Sequence, residues 1–172
     1  MLISQLFLVL LTAMPQGQVD PQRQAMSQGA QRCIKALTEG DYKTLAELTH
    51  PVILERLGGK EKMAEVTTTM MDQMSKQGVK FLSAKADNPS NLIKGKDGLY
   101  GLVPTTIVLD TPQVQLTLKS YMVGFSSDEG KTWVYIDGAP GPEKLREDFQ
   151  QIPQELELPE RQQPKIEPKS KD

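Results

Sequence analysis

One histidine, one cysteine and a few tyrosines and lysines on alternating segments are the residues of this chain with chemistry to offer. His50 is the sole histidine, so a general base or a Ser-His-Asp triad would have to use it. It stands directly before Pro51, at a break between helical segments. There an imidazole satisfies a loose backbone carbonyl, and that capping role is the reading taken ahead of ligand contact. Cys33 is alone, which excludes an internal disulfide. Its place on an apolar helical face reads as a small buried residue rather than a reactive thiol. One His and one helix-bound Cys give no metal-ligand spacing, so neither a metal nor another cofactor is expected. Tyr100, Lys119 and Tyr121 fall on segments of strand character. Turned toward a pocket, each would set a polar group in an apolar wall. The reading preferred for two of them is blander: Lys119 faces solvent and Tyr121 packs as core. Tyr121, Lys119, Tyr100 and His50 are thus the candidate ligand-binding residues, and no catalytic residue is assigned. Glu61 and Glu65, one helical turn apart, read as a solvated face. "GKDG" and "GGKEK" lack both the spacing and the strand-to-helix context of a phosphate loop.

The most suggestive motif is "SSDEGKTW", Ser126 to Trp133, which fits Ser-x-Asp-x-Gly-x-Thr-Trp without a mismatch. The pattern is similar to the Asp-box of sialidases and other β-propellers. A propeller needs repeated four-stranded blades, and no second copy of the motif occurs here. The run explains itself as a hairpin turn. Asp128 accepts hydrogen bonds from the backbone of its own turn, Gly130 supplies positive φ, and Trp133 covers the hairpin base.

The elements that must position these residues follow from periodicity. Asp20-Pro21 opens a helix, with Asp as N-cap and Pro at the first helical position. Met26, Gly29, Ala30, Cys33, Ile34 and Leu37 then recur at three and four residues until Gly40. Asp41 caps a second helix, which breaks at His50-Pro51. "PVILERL" makes a short turn or two. A third long helix carries Met63, Val66, Met70 and Met74 on one face and stops at Gly78. From there the period is two: "VKFLSAKA", a hairpin through Asp97-Gly98, an extended run, then "PQVQLTLKSYMVGFS" and "KTWVYID". In the longest of these, Val114, Leu116 and Leu118 share one parity, while Tyr121, Val123 and Phe125 share the other. Such a phase change predicts a β-bulge near residues 119–121 that bends the sheet. Helices first and antiparallel strands afterwards give an α+β fold, three N-terminal helices packed on a strongly bent sheet.

The ends differ from this body in composition. "LFLVLLTAM" (residues 6–14) is apolar but too short to span a bilayer, and "PQGQVDPQ" follows it. This predicts a signal peptide over residues 1–16, with an exported product, periplasmic or secreted and free of the membrane. Residues 20–138 form the α+β domain. Half of the twelve prolines lie at or beyond Pro140. Residues 139–158 read as a segment docking through Leu145, Phe149 and Ile152, and residues 159–172 as a disordered tail with almost nothing to bury. Lys and Arg number 20 against 22 Asp and Glu, a net charge of −2, too balanced a field to attract nucleic acid.

Three helices, a break and a bent antiparallel sheet, together with "GDYKTLAELTHPVILERLGGKEKM" and "GFSSDEGKTWVYIDG", resemble small exported bacterial members of the nuclear transport factor two-like superfamily, the cystatin-like α+β cone. The resemblance runs from Pro21 to Gly138. It implies a conical pocket that serves enzymes (isomerases, dehydratases, cyclases) and non-catalytic binding domains alike. None of those enzymes' catalytic motifs matches this chain residue by residue. The leading expectation is therefore a non-catalytic module for a small apolar ligand or a protein partner, with pairing of two copies through the sheet. The alternative is a small pocket enzyme of isomerase, dehydratase or hydrolase type using an inward Tyr, Lys or His.

Overall fold

The computed structural model describes residues 20–169; the expected signal peptide lies outside them. The order is α1 (Pro21–Glu39), α2 (Tyr42–Glu47), α3 (Pro51–Leu57), α4 (Lys60–Lys76), β1 (Lys80–Ala86), β2 (Ile93–Lys94), β3 (Leu99–Asp110), β4 (Val114–Ser126), β5 (Val134–Asp137), α5 (Pro142–Asp148) and β6 (Lys165–Pro168). The fold is α+β, with five helices and one six-stranded antiparallel sheet among the described residues. Local signals set the helix ends. The Asp20 carboxylate accepts the Gln22 N–H at 3.0 Å, and Asp41 accepts the Thr44 N–H at 3.1 Å. Gly40 closes α1 in the left-handed conformation at φ 77°. Pro51–Leu57, expected only as a turn or two, is a separate helix, so four helices precede the sheet.

The sheet path is β1-β3-β4-β5, with β2 on β3 and β6 on β4. The β3–β4 ladder runs without a shift from Leu99↔Ser126 to Asp110↔Gln115. The bulge expected at residues 119–121 is therefore not there; the register shift lies in β1, between Phe81 and Ser83. The phase change in β4 has a different cause. Around residues 114–118 the apolar Val114, Leu116 and Leu118 occupy the helix side, opposite the polar Gln115, Thr117 and Lys119. From Tyr121 onward both sides are covered. The second side carries Tyr121, Val123 and Phe125 under the C-terminal segment, while the helix side narrows to Met122 and Gly124.

Two clusters result. On the helix side Met26, Ala30 and Cys33 of α1 pack with Val103, Trp133 and Tyr135. A Cβ on Gly124 would come within 2.6 Å of Met26 Cε, so glycine there lets α1 approach the sheet. On the other side Tyr100, Leu102, Tyr121, Val123 and Ile136 pack under Leu145, Phe149, Ile152 and Leu156. Residues 165–168 were expected to be disordered, but they form a strand on Val114–Thr117. All four of their side chains are exposed, so backbone pairing and the Lys169–Asp110 ion pair at 2.6 Å hold them.

The Asp-box stretch is the predicted turn. Asp128 Oδ1 accepts the Thr132 N–H at 2.9 Å and the Ser126 hydroxyl at 2.8 Å. Ser126 Oγ accepts the Gly130 N–H at 2.8 Å. Gly130 has φ 84°, and the Trp133 indole donates to its carbonyl at 3.0 Å. The hydrogen bonds from Thr132 and Ser126 pull the Asp128 carboxyl down to about 2. The turn also anchors α1, because the Gln22 side-chain amide donates to the Glu129 carbonyl at 2.8 Å.

Candidate ligand cavity

The four predicted site residues all lie away from the space between helices and sheet. Tyr100 is fully buried on the far side, and its hydroxyl donates to both Asp97 oxygens, at 2.9 and 3.0 Å. Burial, reinforced by that carboxylate, raises its pKa. Tyr121 packs in the same cluster and Lys119 is exposed, as preferred in the sequence reading. Tyr100, Lys119 and Tyr121 share one side of the sheet. The parity of β3 and β4 puts them on the side opposite α1, facing the C-terminal segment or solvent. Among the described residues the Tyr121 hydroxyl is buried without a protein partner, beneath a groove lined by Lys119 and Arg161.

His50 does cap a helix, as acceptor rather than donor. Its Nδ1 accepts the Val52 N–H at 3.3 Å. Its ring meets Phe125 and Phe149 at centroid distances of 5.4 and 5.5 Å. Burial lowers its pKa, which agrees with an unprotonated Nδ1. His50, Tyr100 and Tyr121 thus converge on one packed cluster.

A second and more apolar space lies on the helix side. A cavity of about 330 Å³ lies between α1, α2, α4 and the sheet. Its walls include Ile34, Leu45, Met63, Met70, Ile107 and Met122. It exists because α4 packs chiefly on α2 and α3 rather than on the sheet. Met70 and Val66 consequently remain 51% and 45% exposed, although they belong to the apolar face that the sequence assigns to core. Most polar groups of the wall are already used. The Thr49 and Thr67 hydroxyls donate to Leu45 and Met63 carbonyls at 2.9 and 2.8 Å. The Tyr135 hydroxyl donates to the Met26 carbonyl. Burial pushes the Cys33 thiol up to about 12, which favours its protonated form.

Two polar groups remain. Thr105 is a buried member of the same wall. Asp137 ends β5 in phase with Tyr135 and so joins the cavity wall across from Met122. Its Oδ1 accepts the Ala139 N–H at 3.0 Å, and among the described residues no cation pairs with it. The residue itself is exposed, at the end of the strand. Sequence reading passed over Asp137, but alternation from Tyr135 was the signal for its side of the sheet. Among the described residues no cluster of three metal-ligating side chains occurs, and no helix is long and apolar enough to cross a membrane. Comparison with protein-family models and with curated proteins gives no match.

Proposed function

We propose that this chain is an exported, non-catalytic binding module that holds a small apolar ligand in a cone-like space between its helices and sheet. The observation that carries this reading is the apolar cavity under α4, framed by Met63, Met70 and Met122. Methionine suits such a wall because its side chain adapts to the guest's shape. The exposed apolar face of α4 fits a lid whose apolar contacts a ligand would complete. The pocket-enzyme alternative needs an inward Tyr, Lys or His. Tyr135 is the one such residue on the wall, and its hydroxyl is committed to Met26.

Methionine-methyl NMR tests the proposal. Titration with octanol should shift the Met63, Met70 and Met122 methyls saturably and leave Met26 unmoved, because Met26 packs in the α1–sheet cluster. Filling the cavity by Ile107→Trp should abolish the shifts in a folded protein. Absence of saturable shifts at those three methyls would refute the reading. Export is tested separately, by N-terminal sequencing of the chain recovered outside the cytoplasm; a start after residue 13 or 16 supports it, and retention of Met1 counts against it.

A further inference from the structure

The side of the sheet turned away from the helices holds a buried donor with nothing to receive its proton. Tyr121 is 4% exposed, and among the described residues its hydroxyl has no hydrogen-bond partner. An unmade hydrogen bond at a buried group is costly, and phenylalanine would pack the same ring without that cost. Burial, and after it the Glu160 carboxylate, raise the pKa of this hydroxyl, so at neutral pH it carries its proton. Tyr121 lines a groove of about 220 Å³ between the outer side of β3 and β4 and a wall made by residues 159–162. That size suits a compact ligand rather than a drug-sized one. Lys119 and Arg161 also line the groove, and neither belongs to an ion pair among the described residues. Of the two carboxylates on the same walls, Asp87 lies 3.7 Å from Lys85, which offsets its charge, and Glu160 is unpaired. Two free cations against one free carboxylate leave the groove positive. The Arg146 guanidinium, also near the hydroxyl, is engaged with the Pro153 and Leu156 carbonyls at 3.3 and 2.8 Å.

We infer that this groove is a second binding site, for a small carboxylate: one oxygen accepts the Tyr121 hydroxyl, and the charge faces Lys119 and Arg161. Hydrogen bonds to an ionised acceptor are roughly twice as strong as neutral ones, so a carboxylate satisfies the buried donor best. The matching amide offers an oxygen without the charge. The matching amine, protonated at neutral pH, offers no acceptor and meets like charge. The outer wall is built to yield to such a guest. Leu158 packs against the core on one side of it, residues 159–164 are exposed, and β6 beyond them buries no side chain.

The test titrates butyrate, butyramide and butylamine at neutral pH and follows the backbone amides of Ser120, Tyr121 and Gly138, which border the groove, by NMR. Butyrate should shift them saturably and bind at least about tenfold tighter than butyramide, and butylamine should give no saturable shift. Tyr121→Phe should weaken butyrate at least about tenfold and leave the chain at least as stable in urea, because it removes only an unsatisfied hydroxyl. Arg161→Gln should weaken butyrate and Glu160→Gln should tighten it, both being exposed positions that leave the fold intact. Absence of saturable shifts, equal affinity for butyrate and butyramide, or butyrate affinity unchanged by Tyr121→Phe would each overturn the inference. So would a destabilised Tyr121→Phe chain, or weaker butyrate binding in Glu160→Gln, since either would mean that the hydroxyl is satisfied within the fold. None of these results bears on the cavity reading, which is read at the Met63, Met70 and Met122 methyls.

Discussion

Gly29→Ala sets two physical effects of opposite sign against each other. In an isolated helix the change is favourable by about 0.5–1 kcal/mol, because glycine loses more backbone freedom than alanine. Here a Cβ at position 29 would overlap the Tyr135 hydroxyl and lie 3.2 Å from two of its ring carbons. Tyr135 cannot swing aside: it is 4% exposed, rooted in β5 and packed with Met26 and Cys33. Its hydroxyl is also the donor to the Met26 carbonyl. Moving the ring therefore combines about 1–3 kcal/mol of overpacking with about 1 kcal/mol for the displaced hydrogen bond. The net expectation is a loss of about 1–3 kcal/mol after the helix gain is subtracted. Urea unfolding followed by Trp133, the single tryptophan and a member of the same cluster, measures it. Tyr135→Phe removes the overlapping oxygen. Gly29→Ala should then cost at least about 1 kcal/mol less in that background, a coupling typical of residues in contact. A stabilised Gly29→Ala protein, or costs that simply add, would refute the close approach of α1 to β5.

Three further outcomes follow from the structure. The Asp128 carboxyl should titrate at about 2 by NMR; its depressed pKa adds stability above the ordinary carboxylate value that is lost as pH falls through about 2, and Asp128→Asn should remove that part of the acid sensitivity. His50 should titrate below the ordinary histidine value because burial disfavours its charged form. Its contribution to stability is accordingly present at neutral pH and lost as pH falls through the lowered pKa. His50→Ala should cost about 0.5–2 kcal/mol for the lost cap, and His50→Asn should recover part of it in urea unfolding. Deleting residues 159–172 should change stability by less than about 1 kcal/mol, since no side chain of β6 is buried, while hydrogen exchange should speed up at the β4 amides facing β6. A large destabilisation would mean that the strand is integral to the core.

Features carried by local chemistry were legible in the sequence. Asp20-Pro21, the spacing of Met26, Ala30 and Cys33, and the turn built on Asp128 and Gly130 each name their structure within a few residues. Long-range placement was not. The parity change in β4 reflects which side of the sheet residues 142–156 cover, and nothing near Lys119 encodes that. The side on which Tyr100, Lys119 and Tyr121 fall was accordingly not legible from their neighbours. For residues 165–168 the reading of side chains with nothing to bury was sound. Pairing on a free strand edge uses the backbone alone, however, and so leaves no compositional trace. The cavity depends on α4 standing off the sheet, whereas the apolar spacing of Met63, Val66, Met70 and Met74 suggests only a core face. Asp137 could have been assigned its side of β5, but not the open space before it.

The tie between Tyr135 and Met26 closes a loop of 109 residues, and the one between Gln22 and Glu129 a loop of 107. Contacts so distant along the chain form slowly, whereas β3 and β4 meet across a short turn and nucleate locally. During synthesis the first helix emerges with its apolar stripe and waits for a partner that is among the last strands to be made. Assembly therefore runs against chain order. Until residue 135 has emerged, the stripe of Met26, Ala30 and Cys33 lacks Trp133 and Tyr135, the last of its partners to be made.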